Sequence, residues 1–384
     1  MRYLQSHDNG MKKRIAILTT HRANNFGAML QAYSLVTYCR ELGVDAEILD
    51  YRTPLFEKQY HTGWRFGRNP IRTLKYLYWY WHDERNARRK FEEFRKTLPL
   101  SRPYATSAQL KVAEREYDAF IVGSDQVWNP NQTAPNDPAH FDRTYLLDFV
   151  HEKAKYAYAA SMGNTTIQPE SVVPEYVTAW RTFAGISMRE KAGAEFVSRH
   201  LDVDTPTVVD PVFLHDAAFW RDQESKEPFP KKYVLIYNVQ HYRPESKWMI
   251  RQAYEYASTI NARVYNLLVP SAPSSKIKRD DLSVGPREFL KLIDEADAVF
   301  TNSFHATAFS VIFGKKLFLH KAEAAGTTNS RFDFLSTWCD RSIQVYKCCD
   351  CEQICFLDCN NRTLTGLDVV KRISMNLLRQ WAKD

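Results

Sequence analysis

The sequence predicts an α/β protein with two units, each a mostly parallel sheet flanked by helices. Short apolar, β-rich runs alternate with segments of helical spacing along nearly the whole chain. The length of 384 residues suits two domains, since a domain takes about 100–200 residues. A polar stretch at 216–232, which contains two prolines, has the composition of a connection between them.

The first unit begins with a strand over 15–20, a polar loop over 21–27 and a helix over 29–42. Apolar residues within 29–42 recur at helical spacing, and Gly43 is suited to the position after a helix. The unit continues with strands at 46–49, 119–122, 155–160 and 185–188, with helices at 173–183 and 190–200, and closes near Asp210.

The second unit repeats this pattern after the connection. Its strands are predicted at 233–237, 263–267 and 298–301, and its helices at 246–259 and 286–295. A strand, a loop and a helix follow one another within 299–313. We expect the last amphipathic helix, at 367–382, to return to the first unit.

These elements divide the chain into four parts. They are a flexible extension at 1–11, a first α/β domain at 12–215, a second α/β domain at 231–345, and a cysteine-rich segment with the C-terminal helix at 346–384. An aromatic and basic insertion at 65–98 interrupts the first domain. It is either a solvated helix or a surface that docks on anionic lipid, where aromatic rings sit at headgroup depth.

Composition excludes several classes of protein. The net charge of +7 comes from 52 basic and 45 acidic residues, which falls short of the footprint of a nucleic-acid partner. Apolar runs are too short for a membrane span or a secretory signal. Seven cysteines without such a signal indicate reduced thiols, so we expect a cytoplasmic protein, with peripheral contact to the inner membrane face as an extension of the lipid-docking hypothesis.

Polar loops after predicted strands are the candidate sites, because ligands of parallel sheets bind beyond the carboxyl ends of the strands. The usual nucleotide, zinc-protease and serine-hydrolase motifs are absent. The loop Gly123–Pro130 offers a carboxylate, an amide and an indole that suit a sugar ring, namely Asp125, Gln126 and Trp128. Asp125 either orients or deprotonates a sugar hydroxyl, or it caps a neighbouring turn.

A second candidate loop, Thr301–Thr307, places His305 at a helix N-terminus, where backbone N–H groups favour an anion. Arg189, Asn329 and Arg331 add guanidinium and amide groups that match carboxylate and phosphate. Each of these residues has a plainer alternative role, as a packed histidine, a cap or a surface ion pair.

Seven motifs together resemble the polysaccharide pyruvyl transferase family over about residues 12–335. They are HRANNFGAMLQAY, GSDQVWNP, YLLDF, KAKYAYAASMG, ISMRE, VVDPVFL and TNSFHATAFSVIF, in the family's order. The resemblance implies two Rossmann-like domains, similar to the GT-B glycosyltransferases. It also implies transfer of the pyruvyl group of phosphoenolpyruvate to two hydroxyls of a sugar, usually on a lipid-linked glycan precursor, with no metal or cofactor required.

The resemblance assigns roles to individual residues. His305 matches the catalytic histidine and Arg189 an arginine of the donor site, while Ser303 stands where some members carry a donor-binding arginine. Arg331 is a candidate to supply the missing charge, with Asn329 beside it. Asp125 is the second catalytic candidate. Asn25, Gln126 and Trp128 are expected to contact the acceptor.

Two alternatives to this function remain open at the level of sequence. One is a nucleotide-sugar glycosyltransferase on the same architecture, and the other is a non-catalytic glycan-binding relative. Separately, Cys348, Cys351, Cys355 and Cys359 are spaced so that four thiolates either hold a structural metal or remain reduced. The oligomeric state is not indicated by the sequence.

Overall fold

A computed structural model describes the chain in segments. The described residues are 12–53, 85–133, 142–163, 173–229, 231–239, 246–268, 283–322, 332, 344–349, 352–359 and 365–384. The predicted extension at 1–11 and the first part of the predicted insertion, 65–84, lie outside them.

The first half is a six-stranded sheet in which every neighbouring pair is parallel. Its strands are β1 Arg14–Leu18, β2 Asp45–Tyr51, β3 Leu100–Tyr104, β4 Ala119–Val122, β5 Ala154–Ala160 and β6 Gly185–Met188. Its helices are α1 Phe26–Glu41, α2 Arg85–Arg95, α3 Ser107–Leu110, α4 Pro130–Thr133, α5 Val173–Trp180 and α6 Lys191–Leu201. The strand order β3-β2-β1-β4-β5-β6 is that of a Rossmann sheet.

The second half holds another six-stranded sheet, in the order β11-β12-β10-β9-β7-β8. Its strands are β7 Tyr233–Asn238, β8 Arg263–Leu268, β9 Ala298–Thr301, β10 Lys316–Ala322, β11 Gln344–Cys349 and β12 Glu352–Asp358. The helices after the first half are α7 Ala217–Asp222, α8 Ser246–Thr259, α9 Pro286–Asp294, α10 Phe304–Ile312 and α11 Thr365–Lys383. The predicted α/β class with two Rossmann-like halves is confirmed.

Two expectations about local structure need correction. The polar stretch at 216–232 is not only a connection, because it contains α7, whose N-cap Asp216 accepts a hydrogen bond from the backbone N–H of Phe219 at 2.9 Å. Part of the cysteine-rich segment belongs to the second sheet, since β11 and β12 pair antiparallel with each other and β12 pairs antiparallel with β10.

Aromatic rings join the two halves. Phe26, the first residue of α1, stacks on Phe289 of α9 with ring centres 4.4 Å apart and planes 5° apart. Phe91 of α2 lies on Phe26 at 5.1 Å, and the ring of Tyr237 meets it at 5.7 Å. Aromatic pairs contribute to stability beyond their buried area. The start of α1 is therefore fixed between the two sheets.

The C-terminal helix α11 packs on the first half. The ring of Trp381 stacks on Tyr156 of β5 at 4.7 Å and lies directly against Gly185 of β6. The Lys13 ammonium donates to the backbone carbonyl of Trp381 at 3.1 Å. The helix thus connects the end of the chain to the first sheet.

The part of the predicted insertion that the structure describes is helical, with Phe91 and Phe94 buried. Among the described residues, no helix is both long and apolar enough to cross a bilayer.

Replacing Phe26 with alanine tests the aromatic junction between the halves. We expect Phe26→Ala to lower the free energy of unfolding by about 3–5 kcal/mol, because a buried ring is lost and a cavity remains. Urea denaturation measures the change. The control Tyr254→Ala removes an aromatic ring that is 47% exposed, and we expect a change within about 0.5 kcal/mol. Equal effects of the two substitutions would contradict the proposed junction.

Candidate active site

Polar side chains from both halves meet where the strands of the two sheets end. Asp125 follows β4 and Arg189 follows β6 in the first sheet, while His305 follows β9 in the second. Asp210 lies between them, just before a short 3-10 turn at Pro211–Leu214. The predicted residues Asp125, Arg189 and His305 are thus brought into one cluster.

Arg189 is the centre of this cluster. Its Nε donates to Glu190 Oε1 at 2.8 Å, and its Nη1 donates to Asp210 Oδ2 at 3.0 Å. Asp125 Oδ1 lies 3.6 Å from the same Nη1, and the guanidinium carbon sits 4.4 Å from the ring centre of Phe304. Burial works to lower the pKa of Arg189, but the three carboxylates outweigh it and raise the pKa.

Asp210 is buried and charged. Burial alone would raise its pKa, but the nearby His305 ring and the Arg189 guanidinium lower the pKa to about 2. The Ser124 hydroxyl lies 3.3 Å from Asp210 Oδ2, and the backbone N–H of Val212 donates to Oδ1 at 3.2 Å. Asp210 is therefore a carboxylate at neutral pH, fixed from several sides.

His305 reaches this carboxylate from the second half. It is the second residue of α10, and its Nε2 lies 3.6 Å from Asp210 Oδ2. That nitrogen is buried and has no hydrogen-bond partner among the residues that the structure describes. On the other side of the ring lies Gly27 of α1, where an added Cβ would come 1.9 Å from Nδ1. Glycine at this position permits the close approach of α1 to the histidine.

Asp125 faces the opening of the cluster. Its backbone has a φ of 70°, and its carbonyl accepts from the backbone N–H of Ser161 at 3.0 Å, which ties the loop to the end of β5. The Thr20 hydroxyl donates to Asp125 Oδ2 at 3.3 Å. The side chain is 20% exposed, whereas that of Asp210 is fully buried. Asp125 is accordingly the carboxylate of the cluster that a ligand can reach.

The residues predicted to contact the acceptor differ in position. Asn25 is exposed and caps α1 by accepting from the backbone N–H of Ala28 at 3.2 Å. Gln126 is half-buried and accepts from the Asn129 side chain at 2.6 Å. Both lie on loops at the carboxyl edge of the first sheet.

Trp128 requires a correction, since it was predicted to lie against the acceptor. Its ring is only 1% exposed, its indole N–H donates to the backbone carbonyl of Tyr145 at 2.9 Å, and it packs on Trp180 with ring centres 5.5 Å apart. The structure places this ring in the core, because its only polar atom is already bonded and its faces are covered by other rings.

The predicted donor residues fall into two groups. Ser303 is the N-cap of α10, where its hydroxyl accepts from the backbone N–H of Ala306 at 3.4 Å. Asn329 and Arg331 lie outside the described residues. Among the predicted donor residues that the structure describes, Arg189 is the one cation.

The cysteine cluster is described only in part. Cys355 and Cys359 are buried, Cys348 is described through its backbone in β11, and Cys351 lies outside the described residues. Among the described residues, no three metal-binding side chains come together. The four-cysteine metal site stays a prediction.

Three residues of the cluster were not predicted as site residues: Asp210, Glu190 and Gly27. The signal for Asp210 was present in the sequence, where an aspartate follows the apolar pair Val208 and Val209 and precedes a proline. An aspartate before proline at the end of such a run is typical of a turn, so its capping role concealed its second role as partner of Arg189.

Two Rossmann-like halves, with a histidine, carboxylates and an arginine together at the carboxyl ends of their strands, are the arrangement of a two-domain α/β protein with a candidate site between its halves. A family model for polysaccharide pyruvyl transferases matches residues 25–319, which is more than half of the chain. The protein therefore belongs to the polysaccharide pyruvyl transferase family and is a transferase.

Other comparisons concern curated sequences and solved structures. No curated protein matches the chain. UDP-GlcNAc 2-epimerase from Methanocaldococcus jannaschii is 10% identical, with 95% of this chain and 99% of that chain covered at a TM-score of 0.46. Arabidopsis thaliana UGT89C1, complexed with UDP-L-rhamnose, is 11% identical, with 97% of this chain and 94% of that chain covered at a TM-score of 0.44. E. coli ADP-heptose lps heptosyltransferase II is 11% identical, with 97% of this chain and 100% of that chain covered at a TM-score of 0.38. No conclusion about substrate follows from these likenesses.

Replacing Asp210 with asparagine tests the charge balance of the cluster. At pH 7 we expect Asp210→Asn to lower the free energy of unfolding by about 3 kcal/mol or more, because the buried Arg189 loses a partner. The pKa of Asp210 is lowered in the folded protein, so its carboxylate stabilises the fold above the unfolded pKa of about 3.9 and loses this effect as pH falls through about 2. The difference between variant and wild type should therefore shrink toward pH 2.

Urea denaturation at pH 7 and at low pH measures this prediction. The matched control is Asp216→Asn, which keeps the N-cap oxygen on α7 and should cost little, because asparagine caps helices as well as aspartate. A loss from Asp210→Asn no larger than that of the control would show that Arg189 does not depend on Asp210.

Proposed function

We propose that this protein transfers the pyruvyl group of phosphoenolpyruvate to two hydroxyls of one sugar, in a cell-surface polysaccharide or its lipid-linked precursor, and releases phosphate. The observation that carries the proposal is the meeting of His305 from the second half with Asp210 of the first, which shares Arg189 with Asp125. A proton donor and a carboxylate base thus face one cleft, and membership in the pyruvyl transferase family supports this assignment.

The first step needs a proton at C3 of phosphoenolpyruvate. His305 delivers this proton, so that C2 becomes electrophilic and a sugar hydroxyl adds to it, forming one C–O bond. Asp125 takes the proton of that hydroxyl, because it is the accessible carboxylate beside Arg189. The buried Asp210 keeps the histidine ring in place and balances its positive charge.

The second step closes the ketal. A second hydroxyl of the same sugar forms a bond to C2, the bond from C2 to the phosphate oxygen breaks, and the phosphate leaves. Each step releases one hydroxyl proton. One of the two protons restores the proton that His305 gave to C3, and the other leaves with phosphate. The sequence of bonds needs no metal and no redox cofactor, and phosphoenolpyruvate is the sole co-substrate.

The donor anion has two kinds of partner in this proposal. Backbone N–H groups at the start of α10 attract an anion beside His305. Arg189 contributes its Nη2, since Nε and Nη1 are occupied by carboxylates. We keep Arg331 and Asn329 as proposed donor residues and assign Ser303 to holding the helix start.

Asn25 and Gln126 remain our proposed contacts of the glycan acceptor, since both lie beside Asp125 or on the neighbouring loop of the same edge. We place the enzyme in the cytoplasm, with peripheral contact to the inner face of the membrane where a lipid-linked acceptor would be met. Pelleting with liposomes that contain anionic lipid tests the last point.

Ligand-induced thermal shift tests the donor. We expect phosphoenolpyruvate to raise the melting temperature of the wild type and UDP to leave it unchanged, because binding to the folded state stabilises it. Arg189→Lys should weaken the shift by phosphoenolpyruvate. Stabilisation by UDP instead would favour a nucleotide-sugar glycosyltransferase and overturn the proposal.

His305→Asn tests the proton donor directly. Phosphate release from phosphoenolpyruvate in the presence of acceptor glycans should fall by at least about 100-fold, which is the usual contribution of a general acid. The shift by phosphoenolpyruvate should persist. The matched control is His151→Asn, since that histidine is exposed and lies just before the start of β5, at the opposite edge of the first sheet from the cluster. Activity retained in His305→Asn would exclude the proposed role.

A further inference from the structure

A second charged cluster lies at the same edge of the first sheet and has no role in the transfer step. Arg22 belongs to the loop between β1 and α1, and Arg52 directly follows β2. Both guanidinium groups bond to the carboxylate of Asp50, near the end of β2. Ligand sites of parallel sheets lie at this edge.

The Asp50 carboxylate contacts more positive charge than its single negative charge can neutralise. Asp50 accepts from Arg22 Nε at 2.6 Å and from Arg52 Nη2 at 2.9 Å, and His21 Nε2 lies 3.2 Å from it. Burial lowers the pKa of His21. Apart from this ring, two guanidinium charges against one carboxylate leave an excess of one positive charge.

Each arginine keeps part of its donor capacity. Among the described residues, Nη1 of Arg22 and Nη1 of Arg52 have no partner, although the side chain of Arg22 is only 9% exposed. Guanidinium groups pair with phosphate through two parallel N–H bonds. The arrangement therefore presents two fixed, partly unsatisfied forks to a single anion.

A third arginine holds the loop without facing the anion. Arg95 of α2 is buried, donates to the backbone carbonyl of His21 at 3.3 Å and to Asn24 Oδ1 at 2.9 Å, and pairs with Glu92. The loop that carries Arg22 is thus anchored before any ligand arrives. Pre-organised groups bind with a smaller loss of conformational entropy.

The cluster is close to the reacting groups but has the opposite charge. Thr20, two residues before Arg22, donates to Asp125. The cluster around Arg189 holds three carboxylates, including Asp125. Its net charge is negative whether or not His305 is protonated, since Arg189 and His305 together carry at most two positive charges. With the donor anion at the start of α10, as proposed above, a second phosphoryl group is disfavoured beside Asp125 and attracted at Arg22 and Arg52.

We propose that Arg22 and Arg52 form a subsite for a phosphoryl group carried by the acceptor, so that the neutral sugar hydroxyls extend from it toward Asp125. The identification of the bound molecule as the acceptor rests on the proposed function, whereas the phosphoryl site itself does not. The acceptor is therefore a sugar phosphate or sugar diphosphate, free or attached to a lipid.

Calorimetric titration of the full chain with inorganic pyrophosphate and with N-acetylglucosamine 1-phosphate tests the subsite. Both should bind the wild type, and N-acetylglucosamine without phosphate should bind more weakly. Arg52→Gln should weaken both phosphorylated ligands about tenfold, because one charge-assisted pair is lost. Arg22→Lys, which keeps the charge beside Asp50, should weaken them as well through loss of the fork.

The matched control is Arg14→Gln. Arg14 has a side-chain exposure of 44% against 43% for Arg52 and is also paired with acidic residues, but it begins β1 at the opposite edge of the sheet. Its loss should leave pyrophosphate binding unchanged. Equal weakening by Arg14→Gln, or no binding of pyrophosphate to the wild type, overturns the proposal.

Two further arms separate the possible sources of the phosphoryl group. Competition between phosphoenolpyruvate and pyrophosphate for one site would assign the arginines to the donor and overturn the proposal. So would Arg52-dependent binding of phosphatidylglycerol vesicles without binding of the sugar phosphate, which would assign them to a lipid headgroup. If pyrophosphate binds through Arg52 while phosphoenolpyruvate fails to bind, the subsite stands and the pyruvyl transfer falls.

Discussion

The buried ion pair between Arg189 and Asp210 is the interaction on which the site depends. A guanidinium out of contact with water requires close carboxylates, and the chain provides them from the next residue and from the turn before Pro211. With Asp210 charged and fixed, the second half has an anion toward which His305 points. The contact between His305 and Asp210 therefore connects the two halves at the proposed reaction site.

Close packing makes this contact possible. Gly27 leaves room for the imidazole at the start of α1, and Phe26, the residue before it, stacks on Phe289 of the second half. One turn of α1 thus carries both the aromatic contact and the space that His305 occupies. The position of the histidine depends on the registration of the two halves, so that a shift of either sheet would change the 3.6 Å distance to Asp210.

The sequence predicts the elements well where a pattern is local. Strands 119–122, 185–188 and 298–301 have the predicted bounds, because compact apolar runs ended by polar loops leave little choice. Helix α1 begins three residues earlier than predicted, since Asn25 caps it. The place of β12 beside β10 was missed, because that pairing is a long-range contact that no local pattern shows.

The site was predictable in its residues and less so in its contacts. Polar loops after strands identify Asp125 and His305, but no local pattern shows that Arg189 would share its charge with Asp210, or that Trp128 would be enclosed by other rings. These contacts also decide the charge distribution along the cleft. Three carboxylates gather around Arg189, Asp125 among them, while Arg22 and Arg52 exceed the charge of Asp50, so the two clusters at this edge differ in the sign of their local charge.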